Sequence, residues 1–245
     1  MPQAVSDRSS QLAAGLERVQ RRMSAAAMSA GRDPAELTLV AVTKTWPATD
    51  VAALYELGVR DIGENRDQEA AAKVVEVEQL IGADRGRDPL RWHFIGQLQR
   101  NKARSVAAYA AMVHSVDRPT LISALNSAAA AINRQLAVCL QVDLDEPAEM
   151  GRGGAAPADI PHLADLVAGS EALSLAGVMA VAPLGKPARP AFSRLREVSE
   201  RLRKNHPAAV VISAGMSGDL EDAVAEGATH LRVGSALLGA RARKP

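Results

Sequence analysis

Apolar residues follow two alternating rhythms along this chain. Residues 5–31 carry Leu12, Leu16, Val19 and Met23 at three- and four-residue spacing, which predicts a helix with one buried face. Gly31, with Asp33-Pro34 after it, would end that helix. Beyond it, strand-like apolar runs recur at 37–43, 59–62, 91–95, 112–116, 136–144, 175–180, 209–213 and 229–233. Helix-patterned segments lie between them at 48–57, 68–80, 118–133, 160–168, 190–205 and 218–226. Strands alternating with helices predict a parallel sheet, because parallel neighbours need a crossover connection. Eight such runs in a chain of 245 residues predict an α/β fold of the (β/α)8 type, a TIM barrel, with an additional N-terminal helix. The alternative is an open doubly wound sheet. Against it, no Gly-x-Gly-x-x-Gly and no P-loop follows any strand. No linker divides the chain, so residues 1–245 read as a single domain.

Composition narrows the function. Net charge is +1 and aromatics are 2%, so neither a strong field nor stacking platforms for nucleic acid are expected, and the core must be built from Ala, Val, Leu and Ile. Cys139 is the single cysteine and cannot form an internal disulfide, which fits a reducing compartment. No apolar run reaches membrane-spanning length, and residues 1–10 are polar rather than signal-like, so the expectation is a cytoplasmic protein with no membrane partner. His93, His114, His162, His206 and His230 are scattered without ligand spacing, and no metal site is read from them. Two loops are conspicuous. One spans residues 82–89; the other spans 146–159, is glycine-rich, and would sit on the face where barrels keep their active sites.

The chemistry gathers at predicted strand ends, where barrel enzymes place it. Lys44 closes the otherwise uncharged run from Leu37, and lysine is costly to bury, so it is either a surface-reaching side chain or a desolvated amine able to form a Schiff base. The second run ends in Gly63-Glu64-Asn65. The seventh runs into Ser213-Ala-Gly-Met-Ser217, and the eighth reads Thr229-His-Leu-Arg232-Val-Gly234-Ser235. Gly215 and Gly234 permit close backbone approach, Ser217 and Ser235 offer hydroxyls, and both loops lead into helix starts, so together they form a candidate phosphate cradle. Closure of a barrel sets the last strand beside the first, which brings Arg232 near Lys44. A permanent guanidinium there would favour the neutral amine. The other reading makes Arg232 an outward-facing surface residue. An aldehyde, a ring nitrogen and a phosphate on one ligand would match amine, arginine and cradle, and pyridoxal 5′-phosphate is that ligand.

Ala41-Val-Thr-Lys-Thr45, Gly63-Glu-Asn65, Trp92-His-Phe-Ile-Gly-Gln-Leu-Gln99 with Asn101-Lys102, Ser213-Ala-Gly-Met-Ser217 and Arg232-Val-Gly-Ser235 resemble the pyridoxal phosphate homeostasis (YggS/PROSC-type) proteins. The resemblance runs in order from about residue 12 to 241. It implies a barrel like the N-terminal domain of alanine racemase, with the cofactor held as a Schiff base on Lys44. Arg232 matches the arginine that faces the pyridine nitrogen. Ser217, Gly234 and Ser235 match phosphate-binding positions, with the Met216 backbone nearby, and Asn65 matches a pocket-lining residue. His93 and Gln97 fall in the third-strand signature as packing or loop-anchoring residues. Arg66, Ala214 and Ser235 depart from tyrosine, methionine or leucine, and threonine, and Arg152 stands near a position that often carries lysine.

The resemblance implies intracellular cofactor homeostasis without catalytic turnover, with hand-over to apo-enzymes as the possible partners. A pyridoxal phosphate-dependent amino-acid racemase is the alternative. That chemistry needs a proton donor or acceptor on each face of the substrate carbanion. Racemases of this type carry a second, all-β domain that supplies a tyrosine, whereas this chain ends ten residues after Ser235, and Tyr55 and Tyr109 lie in helical segments. The expectation is therefore a monomer with no catalytic residue. A sugar-phosphate lyase using Lys44 is a third reading.

Overall fold

Every strand of this protein pairs in parallel with its sequence neighbours, and the first pairs with the last, so the sheet closes. In the computed structural model, which describes residues 2–82, 88–145 and 153–239, the strands are β1 (Thr38–Val42), β2 (Asp61–Glu64), β3 (Arg91–Phe94), β4 (Ala110–Val116), β5 (Leu136–Gln141), β6 (Leu173–Met179), β7 (Val211–Ser213) and β8 (His230–Val233). The helices are α1 (Pro2–Ser29), α2 (Ala48–Glu56), α3 (Asp67–Ile81), α4 (Ala103–Tyr109), α5 (Pro119–Ala130), α6 (Ile160–Ala168), α7 (Ala188–Asn205), α8 (Leu220–Ala225) and α9 (Ser235–Leu238). This is the expected (β/α)8 barrel with an additional N-terminal helix. It has no open sheet edge of the kind that the doubly wound alternative would leave. Among the described residues no helix is long and apolar enough to cross a membrane.

Alternation along each strand divides the molecule into two shells. Ala41, Ile62, Leu231 and Val233 point outward into one continuous apolar layer with Leu54, Leu125, Leu163 and Leu195 of the helices. Inward positions include Val40, Val42, Asp61, His93, His114, Cys139 and Arg232, all buried. The short helix α4 has no counterpart in the sequence reading. Its seven residues are too few to display a helical period, and the run Ala-Arg-Ser-Val-Ala-Ala-Tyr mixes small and polar residues.

Helix α1 lies across α2, α8 and α9. It approaches α9 at Gly15, where an added Cβ would stand only 2.1 Å from the Leu237 carbonyl oxygen. Two arginines extend the contact. Arg8 Nη1 donates to Leu238 O at 3.2 Å, and Arg22 Nη1 donates to Ser217 O at 3.0 Å. Arg8 also pairs with Asp50 of α2, and Arg22 with Glu221 of α8. Of the two loops singled out in the sequence, residues 83–87 and 146–152, including Arg152, lie outside the described residues.

Candidate functional site

Lys44 follows β1 and is half-buried. The backbone that carries it is held from below by a buried polar cluster. Thr43, fully buried, donates its hydroxyl to Glu64 Oε1 at 2.6 Å. Lys73 Nζ from α3 reaches the Thr43 carbonyl at 2.9 Å, Glu64 Oε1 at 2.7 Å and Glu69 Oε1 at 3.1 Å. Glu69 also accepts from the Thr45 amide, and Thr45 has a positive φ of 70°. A non-glycine residue there is uncommon and needs surrounding structure to hold it. Burial raises the pKa of Glu64, while Lys73 and the Thr43 hydroxyl act against that rise. Losing one member of such a buried pair is costly, about 3 to 5 kcal/mol, because the other charge is left alone. The loop that presents Lys44 is therefore clamped on both sides.

Sequence reasoning singled out Glu64 only as part of an unusual strand end and passed over Lys73 and Glu69. Their signal was an acid–base pair four residues apart on α3. It is indistinguishable in sequence from an exposed surface pair.

Arg232 is buried inside the barrel, 4% exposed, which removes the surface reading. The register sets it opposite Val40, so β8 and β1 bring it and Lys44 to one rim as expected. Its Nη1 donates to Ser213 Oγ at 2.6 Å and its Nη2 to Ala180 O at 2.8 Å. Among the described residues no carboxylate pairs with it, and burial lowers its pKa to about 10, so it stays charged at neutral pH.

Lys44 and Arg232 line one cavity of about 250 Å³ together with Val42, Trp46, Ile95, Met216, Ser217, Gly218, Gly234, Ser235 and Gly239. The two loops of the candidate cradle are joined, since the Ala236 amide donates to Ser217 Oγ at 3.2 Å. The amides of Ser217, Gly218 and Ser235 are not spent on acceptors among the described residues. Glycine is required at 215, where φ is +88° and a Cβ would stand 2.7 Å from Ala223 Cβ. At 234 a Cβ would lie 3.3 Å from the Val42 carbonyl, so glycine lets β8 close against β1. Because α8 and α9 have only six and four residues, loop amides rather than long helix dipoles make this rim electropositive. The cavity thus offers an amine, a fixed guanidinium and hydroxyl and amide donors suited to an anion. That set fits pyridoxal phosphate.

Two sequence-predicted positions sit differently from the rest. Met216 lines the cavity, but its amide is taken by Asp219 Oδ1 at 2.6 Å, so its contribution is its side chain and shape. Asn65 is not among the lining residues; it packs on Gly96, where a Cβ would meet the Asn65 carbonyl at 2.1 Å. Tyr55 and Tyr109 do not line the cavity either. Arg60 stacks over the Tyr55 ring at 4.1 Å, and burial raises the Tyr109 pKa.

Cys139 is a fully buried core residue, its thiol pushed up to about 12 by burial. The histidines correct the sequence reading. His162 and His206 remain apart from the site, but His93, His114 and His230 converge inside the barrel with ring centroids 5.1 to 6.4 Å apart. Spacing along the chain could not show this, because barrel closure, not sequence proximity, joins strands three, four and eight. No group able to hold a metal ion occurs among the described residues.

The family profile "Alanine racemase, N-terminal domain" matches residues 14–242. The "Pyridoxal phosphate homeostasis protein" of Mycobacterium leprae is 42% identical over 98% of this chain and 96% of its own length. The solved structure of PipY from Synechococcus elongatus PCC7942 with PLP bound superposes with a TM-score of 0.79 at 33% identity, over 93% of this chain and all of that one. Alanine racemase from Streptomyces coelicolor A3(2) superposes with a TM-score of 0.72 at 20% identity, over 95% of this chain and 59% of that one, a likeness of fold alone. With its barrel, its clamped lysine loop and its glycine-serine cradle, the chain belongs to the pyridoxal phosphate homeostasis protein family, within the wider group that shares the alanine racemase N-terminal fold.

Proposed function

We propose that this protein binds pyridoxal 5′-phosphate covalently through Lys44 and reversibly holds it for intracellular cofactor homeostasis. The observation that carries the reading is the convergence of Lys44, Arg232 and the 215–218 and 234–235 loops on one cavity. When bound, the cofactor would supply an aldehyde for the lysine amine and an electron-withdrawing ring. Ser217, Gly234 and Ser235 hold the phosphate, with Met216 closing that side. The guanidinium of Arg232 faces the ring nitrogen and disfavours its protonation, which weakens the ring as an electron sink. The Thr43–Glu64–Lys73–Glu69 clamp orients the Lys44 backbone, and Asn65 acts behind the cavity wall rather than on the cofactor. We assign no residue to catalytic turnover, because racemisation needs a second acid–base group across the site and neither tyrosine reaches it. PipY, whose structure holds PLP, and the relatives' name support the cofactor. On this reading the chain is one domain, acts as a cytoplasmic monomer, and has apo-enzymes as its recipients.

The test is the visible spectrum of the purified protein, followed by borohydride reduction and peptide mass mapping. The expected result is a yellow protein with a reduced pyridoxyl group on Lys44, and complete loss of that adduct in Lys44→Ala with unchanged folding. A colourless protein that takes up no added cofactor, or an adduct confined to another lysine, overturns the reading.

A further inference from the structure

Five polar side chains inside the barrel form a single file. Arg232 Nη1 reaches Ser213 Oγ at 2.6 Å, and the same oxygen lies 2.8 Å from His114 Nδ1. His114 Nε2 lies 2.8 Å from His93 Nδ1, and His93 Nε2 lies 2.8 Å from Asp61 Oδ1. All five residues are buried, and Ser213 and His114 are fully so. Arg91 closes the far end with two hydrogen bonds to Asp61 at 2.6 and 2.7 Å. The file thus runs from the bottom of β2, through β3 and β4 and across to β7, and reaches the cavity wall on β8. His230 stands beside it with its Nδ1 3.0 Å from Thr229 Oγ1.

The two ends limit the directions that the hydrogen bonds between them can take. A guanidinium can only donate, and an ionised carboxylate can only accept. Burial alone would raise the pKa of Asp61, but hydrogen bonds from His93 and Arg91 outweigh it and hold that carboxyl at about 2. One arrangement satisfies every group in the file. Ser213 accepts from Arg232 and donates to His114 Nδ1, His114 Nε2–H donates to His93 Nδ1, and His93 Nε2–H donates to Asp61. The competing arrangement puts a second proton on His93, which then donates to His114, which donates to Ser213. That leaves the Ser213 hydroxyl proton without an acceptor among the described residues and puts a charge on His93 that only Asp61, already bound twice by Arg91, could offset. Such a charge is expensive in a water-excluded site. Burial, first of all, keeps the His114 pKa well below its ordinary value, so that this ring is neutral.

We propose that Asp61, His93, His114 and Ser213 are positioning residues, a one-way hydrogen-bond file that holds both imidazoles neutral with the proton on Nε2 and fixes the Arg232 guanidinium in the cavity wall. What Arg232 faces there rests on the cofactor reading given above. The file is a brace, not a proton conduit. Moving a proton from a guanidinium to a carboxyl group that its hydrogen bonds hold ionised is steeply uphill. What the file transmits is orientation. It anchors one edge of the guanidinium through Ser213 while Ala180 O takes another, so the charge facing the cavity cannot swing with the flexible stem of the side chain.

Two measurements test this, and the first needs no cofactor. Nitrogen-15 NMR of the imidazole rings in the cofactor-free protein at neutral pH should show both His93 and His114 protonated at Nε2 and not at Nδ1. A proton on Nδ1 of either ring overturns the file even if the protein never binds pyridoxal phosphate. The second compares His114→Gln with His114→Leu in protein loaded with pyridoxal phosphate. Glutamine can accept from Ser213 and donate to His93, whereas leucine can do neither. The leucine variant should release the cofactor about tenfold faster and shift its absorption band, and the glutamine variant should restore both. If the two loaded variants match wild type in spectrum and release, the file does not position Arg232. If wild type takes up no cofactor, the cofactor reading fails while the NMR result still decides the file.

Discussion

The outward faces of the strands carry Ala41, Ile62, Leu231 and Val233 against the helices, while the inward faces carry Asp61, His93, His114, Ser213 and Arg232. The two shells hold the same strands by different physics. Outside, burial is non-directional and roughly proportional to area, so many residues contribute and neighbours can repack. Inside, each contact depends on angle and on which atom carries the proton, and a network with one member missing is worse than none. Replacing a buried polar network whole by packed apolar residues can leave stability unchanged, although deleting one member does not. The gain of the polar network is geometry, and the geometry ends at the cavity. Stability and cofactor placement should therefore be separable by mutation.

The sharpest way to break that separation begins outside. Leu125→Ala, at a fully buried position of α5, is expected to cost about 3 kcal/mol in urea-induced unfolding and to leave cofactor release unchanged. A release rate that moved with it would mean the shells are coupled.

Asp61→Asn is next. The folded Asp61 carboxyl lies at about 2 against an ordinary 3.8, so it contributes stability above pH 3.8 that disappears as pH falls through about 2. That is roughly 2 kcal/mol at neutral pH. The variant should lose this amount near pH 7 and converge with wild type in strong acid. A constant offset at every pH would assign the loss to packing instead of charge.

The smallest expected effect comes from Gly15→Ala on α1, where the new Cβ would push on the Leu237 carbonyl. About 1 to 2 kcal/mol of destabilisation is expected from overpacking. Because α9 carries part of the cradle, cofactor release should rise modestly with it, unlike Leu125→Ala.

The outer shell was legible in the sequence because period is a local property. Leu12, Leu16, Val19 and Met23 announce the buried face of α1 by their spacing alone, and all four are buried as that spacing requires. The glycine-serine loops were legible for a similar reason, since turn chemistry is written in adjacent residues. The inner shell was not. In Thr229-His-Leu-Arg-Val the polar alternates point inward, yet the same alternation describes a half-exposed strand whose polar face meets water. His93, His114 and Ser213 become one file only after closure sets β4 across from β7, at a sequence separation of 99 residues. Lys73 was hidden by the opposite ambiguity, because a buried lysine on α3 has the same sequence context as a surface one. Asn65 fell in a recognisable motif, but motif order does not say which side of a strand end faces the cavity.

The meeting of α1 with α9 has a consequence in time. Arg8 contacts Leu238 across 230 residues of chain, and Arg22 contacts Ser217 across 195. Contacts of such separation form late, after loop-closure entropy has been met elsewhere. On the ribosome, the first helix emerges with its arginines and Gly15 groove long before their counterparts exist. All members of the lysine clamp, from Thr43 to Lys73, are synthesised before the rim that would hold the phosphate. A complete cavity must then wait for β8 and its short helix, so the phosphate rim is the last part of the site to be made.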